Sequence, residues 1–419
     1  MSRIPYPIIA GITAMRFRDS DPASLRALDH VEWAQVLSFF DPMHLTLAFG
    51  ERCRDHLPDW VRTRIDKNLA DNIEHLRRLK NAYLEIKEAL YRAGVEHLVL
   101  KGFAQGSSYA KNPYSRMQSD LDLYCPSEFL LGTRDALSGL GFVSAHLGQY
   151  LLSDQHLPKM FRPTNWQWRG NYFDPEIPIS VDIHGRFWNA TTARFGPSDL
   201  DQFWERQVGV LFEDVQFFAL NSCDSLAFAC LHMLRHALSR NLLTNHVYEI
   251  AWFLHQSAQN EEFWEHWSTT HDASLRSLEA IAFRFAKDWF ACDLSPQAQE
   301  EVSRLSPVVQ RWFRHYVDSP MHALFRPNKQ TLWLHLALVE SPRDRRVILY
   351  HGLLPTGIPP LAAFDSAPET GQGGRLAAVR KVRRYFQHIL SRARYHGSVL
   401  PNTIWHGIRW WLSSVWRPV

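Results

Sequence analysis

The stretch RMQSDLDLYC, Arg116 to Cys125, decides how the rest of the chain is read. Asp120, Leu121, Asp122 and Leu123 alternate acid and apolar, the period-two pattern of a strand with one apolar and one charged face. Asp is a poor strand former, so two of them on one face need a reason beyond solubility. Upstream, VEHLVLKG predicts a short buried strand through Leu98, Val99 and Leu100, closed by Gly102. The intervening FAQGSSYAKNPYSRM reads as helix or loop ending near Pro113. Downstream, PISVDIHGRFW predicts a third strand, with Ile179, Val181 and Ile183 on one face and Ser180, Asp182 and His184 on the other.

If the last two of these strands are neighbours, Asp120, Asp122 and Asp182 converge on one patch. Uncompensated, they repel, and at least one takes up a proton. A divalent cation removes that difficulty. Hard oxygen ligands suit Mg²⁺ (or Mn²⁺), which binds one or two carboxylates together with substrate phosphates. The chemistry that uses such a platform is phosphoryl or nucleotidyl transfer, in which two metals clamp the attacking and leaving oxygens. Asp120 and Asp122 then bridge the ions, and Asp182 holds the metal nearer the nucleophile and helps to deprotonate an acceptor hydroxyl. Lys101 and Arg116 supply cations for a triphosphate, and Gly102 lets backbone approach a phosphate closely.

These residues carry a resemblance. LVLKGFAQGSSYAKNPYSRMQSDLDLYC resembles the core motif of the DNA polymerase β-like nucleotidyltransferases, in which a glycine-containing turn precedes an Asp-x-Asp strand. It is most similar to a bacterial branch described as uncharacterised nucleotidyltransferases. Leu100-Lys101-Gly102, Arg116 ahead of Asp120-Leu121-Asp122-Leu123, and Val181-Asp182-Ile183-His184 match that branch's turn, arginine and two strands. LHMLRHAL, with His232 and His236, and the region of Glu249 are similar as well, so the likeness runs over roughly residues 70 to 260. The resemblance implies catalysis and metal binding by Asp120, Asp122 and Asp182, with nucleotide contacts from Lys101, Gly102, Ser107, Arg116, Ser119 and His184. One departure stands out. The superfamily has Gly-Ser directly after the first strand, where this chain has Lys101-Gly102-Phe103, with Gly106-Ser107 four residues further on. The first turn is the favoured phosphate cradle because it follows the strand immediately.

The surroundings predict an α/β protein (α+β), a small polymerase β-type mixed sheet between helical regions. Residues 1–94 form an N-terminal helical region and 95–220 the α/β core. Residues 221–353 form a larger helical domain, 354–374 a Pro- and Gly-rich linker, and 375–419 a basic, Trp-rich segment. Within the first region, Leu69, Ile73, Leu76, Tyr83, Ile86 and Leu90 fall on one helical face, and Gly94 is placed to end that helix. The polar, aromatic stretch from His146 to Pro178 reads as a hairpin or insertion. From Ser222 to about Tyr350 the pattern is helical.

Composition bounds the function. Hydrophobic content of 46% and charged content of 21% describe a folded chain with a sizeable core, and a formal charge of +3 is too mild to argue for long nucleic acid as a partner. Five scattered cysteines without a CxxC pair argue against a disulfide scaffold or zinc ribbon and fit a reducing cytoplasm. No apolar run reaches the roughly 18 residues of a membrane span, and no signal peptide is expected at the N-terminus. The expected partners are therefore an NTP and an unidentified acceptor: a small molecule, sugar, peptide or protein.

Each signal has a plainer reading. An isolated Asp-x-Asp also serves Mn²⁺-dependent glycosyltransferases, and the same fold can persist in a non-catalytic nucleotide-binding or scaffold protein. His184 either orients Asp182 and touches substrate or is a hydrogen-bonded strand-end histidine. His232 and His236 stand i, i+4 on a helix, a metal-ligand spacing, but with no identifiable carboxylate partner and no Glu after His232 the reading as helix-packing histidines lining the cleft is favoured. Arg235 and Arg240 can reach phosphates. Residues 371–419 carry nine Arg or Lys and no acid, and a cationic amphipathic helix with Trp at its end can dock on an anionic membrane surface or a protein, or equally pack on the body of the protein with its Arg in water.

Overall fold

A computed structural model describes residues 4–144, 157–198, 200–354 and 374–415. The fold is mixed α/β, as expected: helical regions flank a seven-stranded mixed sheet. Its strands are β1 (Leu98–Val99), β2 (Asp120–Tyr124), β3 (Val143–Ser144), β4 (Met160–Phe161), β5 (Ser180–His184), β6 (Val208–Phe212) and β7 (Val215–Ala219), in the order β3-β4-β5-β2-β1-β7-β6. The three strands predicted from sequence form its centre. β1 runs antiparallel to β2, and β2 runs parallel to β5 with Asp122 directly opposite Asp182.

Four outer strands go beyond the sequence reading. β3 and β4 are two residues each, too short for an alternation to register. β6 and β7 form a hairpin turning at Glu213-Asp214, where Glu213 takes a left-handed φ of 52° in place of the usual Asn or Gly. Of the stretch from His146 to Pro178, residues up to 156 lie outside the described set, and the remainder supplies β4 and loop.

Alternation in the central strands sorts them into two layers. Leu121, Leu123, Val181 and Ile183 are fully buried and pack with Leu79, Tyr83, Ile86 and Leu90 of the long helix Asp59–Arg92. Burying each such side chain contributes about 2 kcal/mol. The helix ends as predicted, with Gly94 at φ 66° just beyond it. Ile73, expected on the packed face, is instead exposed. The opposite face of β2 and β5 looks toward two later helices, Ser222–Ser239 and Thr244–Ser257.

Helices from both ends of the chain share one apolar core running from Ile8 to Ile348. Phe39 stacks on Phe325 with centroids 5.7 Å apart, and Phe17 on Tyr248 at 5.8 Å. Most of the expected linker, residues 355–373, lies outside the described set. The basic segment is one helix, Gly374–Val415, with Pro401 inside it. Its distal half is packed down: Val399, Thr403 and His406 are buried, and the backbone at Gly407 lies so close to Trp333 that an added Cβ would meet the indole at 2.8 Å. Val379, Val382, Phe386 and Leu390, in its first half, are exposed.

Candidate active site

The site is built on the parallel pair β2 and β5. Because side chains alternate along a strand and the register sets Asp122 against Asp182, both carboxylates leave the sheet on the same side. One oxygen or ring nitrogen from each of Asp122, Asp182 and His184 lies within 4.8 Å of the others. Asp120, two residues before Asp122, lines the same cavity of about 240 Å³. The register thus brings Asp122 and Asp182 together, and Asp120 borders the same cavity.

Cations hold this cluster together. Lys101, just beyond β1, places its ammonium 2.8 Å from Asp122 Oδ1, and His184 Nε2 lies 3.0 Å from the same oxygen. Burial works against the charge on Asp122, yet Lys101 and His184 hold its carboxyl well below the usual carboxylate range. Burial likewise lowers the pKa of His184 despite the pull of Asp122, so the neutral ring donates its Nε2–H to that carboxylate. Lys159 donates to Asp120 Oδ2 at 2.5 Å. Burial opposes the Lys159 charge, and Asp120 more than offsets it, so its pKa is raised.

Gly102 follows Lys101 at φ 71°, a left-handed conformation that L side chains rarely adopt. A Cβ there would sit 1.9 Å from the side-chain nitrogen of Gln118, which donates to the Asp120 carbonyl at 2.9 Å. The glycine thus admits Gln118, which braces the start of β2. Gly102, Gln118 and Ser119 all line the cavity. Ser107 lies on the four-residue helix Gly106–Tyr109, and its side chain is outside the described set.

Arg116 also faces the cavity, with its guanidinium engaged. It donates from Nε and Nη2 to the two oxygens of Glu249, both at 2.9 Å, and from Nη2 to Gln105 at 3.4 Å. This bidentate pair ties the approach to β2 to the helix Thr244–Ser257. A fork of this kind is geometrically specific as well as strong.

A family match is consistent with this arrangement. The model of a family described as uncharacterised nucleotidyltransferase matches residues 29–291, more than half of the chain. The protein belongs to that family. No curated protein and no solved structure matches the chain.

The matched span of this nucleotidyltransferase takes in the whole carboxylate cluster and several cavity residues that sequence reasoning did not assign. Lys159, Gln105, Gln118, His44 and His246 come from five separate places and converge only in three dimensions. Glu249 falls in a region similar to the family's, but nothing in its spacing marks it as the partner of Arg116. His232 accepts from Lys101 Nζ at 3.1 Å and lines the cleft, as the sequence reading expects. Arg235, exposed and in no ion pair among the described residues, borders the cavity and a second pocket of about 450 Å³. That pocket is walled by Phe187, Trp188, Phe228, Leu231 and Leu238, includes His184, and shares His232 and Arg235 with the carboxylate cavity.

Proposed function

We propose that this nucleotidyltransferase moves a nucleoside monophosphate from an NTP to a hydroxyl or phosphate group on an acceptor other than long nucleic acid, releasing pyrophosphate. The observation that carries the reading is the register of Asp122 against Asp182, with Asp120 in the same cavity. The donor set suits Mg²⁺ or Mn²⁺, since hard carboxylate oxygens predominate and His184 is the one nitrogen in the cluster. Two lysines already stand against Asp120 and Asp122, which marks the spot as one that demands positive charge. Asp120, Asp122 and Asp182 would hold the ion. When bound, it supplies neutralisation of phosphate charge and polarisation of the reacting oxygens.

The chain's own groups do the remainder. Asp182 takes the proton of the acceptor hydroxyl as its oxygen bonds to the α-phosphorus and the bond to the β-phosphate bridging oxygen breaks. Lys101, Lys159 and Arg235 line the cavity with positive charge for the triphosphate. His184 fixes the Asp122 carboxylate. The adjoining apolar pocket offers a seat for the base or for an acceptor with an apolar body.

The test is incubation with each labelled NTP, Mg²⁺ or Mn²⁺, and a cell extract, following which molecule gains the label. Label on one acceptor with release of pyrophosphate, lost in Asp122→Asn, is the expected result. Failure with every NTP by a protein shown to be folded would overturn the enzymatic reading in favour of a non-catalytic binding protein.

A further inference from the structure

Beside the carboxylates lies a second cluster that the proposed reaction does not use. His232 and His236 project from the same face of the helix Ser222–Ser239, and His246 joins them from the next helix, Thr244–Ser257. One ring nitrogen from each of the three lies within 4.8 Å of the others. His232 Nε2 and His236 Nε2 are 3.1 Å apart, close to the separation of two nitrogens that share a tetrahedral ion at about 2 Å each. We propose that His232, His236 and His246 form a binding site for a transition-metal ion of the Zn²⁺ class, separate from the carboxylate site.

The surroundings favour ligation over simple packing. His236 Nδ1 lies 3.1 Å from Asn241 Oδ1. Since that oxygen can only accept, Nδ1 carries the proton and the Nε2 lone pair is turned toward the cluster. This is the outer hydrogen bond that metal-ligating imidazoles commonly make. Asn241 is itself held by Ser239 Oγ, which donates to it at 2.7 Å. His246 Nδ1 is buried and has no hydrogen-bond partner among the described residues. Burial, reinforced by mutual repulsion and by Lys101, keeps His232 and His246 neutral, and burial with Arg235 lowers His236 to about 4. Three neutral imidazoles are what a divalent ion requires.

Lys101 marks the same conclusion from the other side. Its ammonium stands 3.1 Å from His232 Nε2, so a positive charge already draws on that lone pair. It is also 2.8 Å from Asp122, to which it can withdraw when an ion takes the histidine. All three histidines line the cavity, so the remaining coordination position opens toward whatever the cavity holds. The chelate would also pin the two helices together at the rim of the cleft.

The test uses the full chain and the metal alone. Titration with Co²⁺ reports ligand field, and calorimetry with Zn²⁺ reports affinity, each in excess Mg²⁺ to occupy the carboxylates. The expected result is one equivalent bound with a tetrahedral-type Co²⁺ spectrum. His236→Ala and His246→Ala should each lose at least about tenfold in affinity, as removal of an imidazole ligand implies. Asp122→Asn should retain the site, which separates this inference from the nucleotidyl-transfer reading. Lys101→Met, which removes the competing ammonium, should bind at least as tightly, and it keeps the test open should a histidine variant fail to fold. No binding in excess Mg²⁺, or binding lost in Asp122→Asn but kept in both histidine variants, would overturn the proposal.

Discussion

Lys101 holds a single ammonium between Asp122 and His232, 2.8 Å from one and 3.1 Å from the other. The Asp122 side chain is only 4% exposed, so its charge depends on that cation and on His184. Replacing Lys101 by Met leaves a buried carboxylate undercompensated, and breaking a buried pair from one side costs about 3 kcal/mol. If the carboxylates take a divalent ion, Mg²⁺ restores much of that loss. Urea denaturation of Lys101→Met with Mg²⁺ and with chelator is expected to differ more than in the unmodified protein. An equal deficit under both conditions would argue that Asp122 and Asp182 hold no ion.

Gly102 and Gln118 are coupled by contact. Gly102→Ala places a methyl group where the Gln118 amide now sits and forces a left-handed alanine, a backbone cost of about 1 kcal/mol before the clash is counted. In Gly102→Ala/Gln118→Ala the clash is removed and only the backbone cost and the lost bond to the Asp120 carbonyl remain. The double variant is therefore expected to be more stable than the sum of the singles predicts. A double-mutant cycle by chemical denaturation measures the coupling, and strict additivity would show that Gln118 moves aside freely.

The centre of the sheet was legible because alternation survives wherever one face is buried and the other is charged. Leu121, Leu123, Val181 and Ile183 wrote the apolar face, and the aspartates wrote the other. The alternation placed Asp122 and Asp182 on one side of neighbouring strands, but the register that sets them directly opposite is visible only in the fold. The rim of the sheet was not legible. Val143–Ser144 and Met160–Phe161 are shorter than one alternation, and the Val208–Ala219 hairpin turns on Glu-Asp. The far wall of the site was hidden for another reason. Lys159 reaches Asp120 from 39 residues away, and Glu249 reaches Arg116 from 133. No local spacing encodes such pairs. His246 is the instructive case: His232 and His236 showed the helical spacing of ligands, and the third came from the next helix.

The first half of the C-terminal helix exposes Val379, Val382, Phe386 and Leu390 at steps of three and four, on a helix that carries Arg and Lys but no acid from Gly374 to Val415. Such a face suits an anionic bilayer, where apolar burial and charge attraction add. The protein is expected to co-sediment with phosphatidylserine-containing vesicles more than with purely zwitterionic ones. Phe386→Glu should reduce that binding several-fold while leaving thermal unfolding unchanged, because Phe386 packs against little of the protein body. Equal recovery with both kinds of vesicle would exclude charge attraction as the reason for docking, and recovery with neither would exclude the bilayer as the occupant.

His271 is fully buried between two acids, with Nε2 3.2 Å from Asp224 Oδ1 and Nδ1 3.0 Å from Glu279 Oε2. Burial alone would lower its pKa, but Glu279 and Asp224 overcome burial and raise it to about 9. Arg206 also faces Asp224, through two hydrogen bonds of 2.9 and 2.7 Å, and Trp267 donates to Glu279 at 3.0 Å, so both acids are held in place. A group whose folded pKa lies above its unfolded value binds more protons in the native state. Its stabilisation is fully present below about pH 6.5 and is lost as the pH rises toward 9, a difference of about 3 kcal/mol. Other groups titrate in the same range, Lys329 among them, with a pKa lowered by burial to about 8. The comparison is therefore with His271→Asn. Between pH 6.5 and 9 the unmodified protein should lose about 3 kcal/mol relative to that variant in urea denaturation. Parallel stability curves for the two proteins across this window would mean that the imidazole is neutral in its acidic pocket.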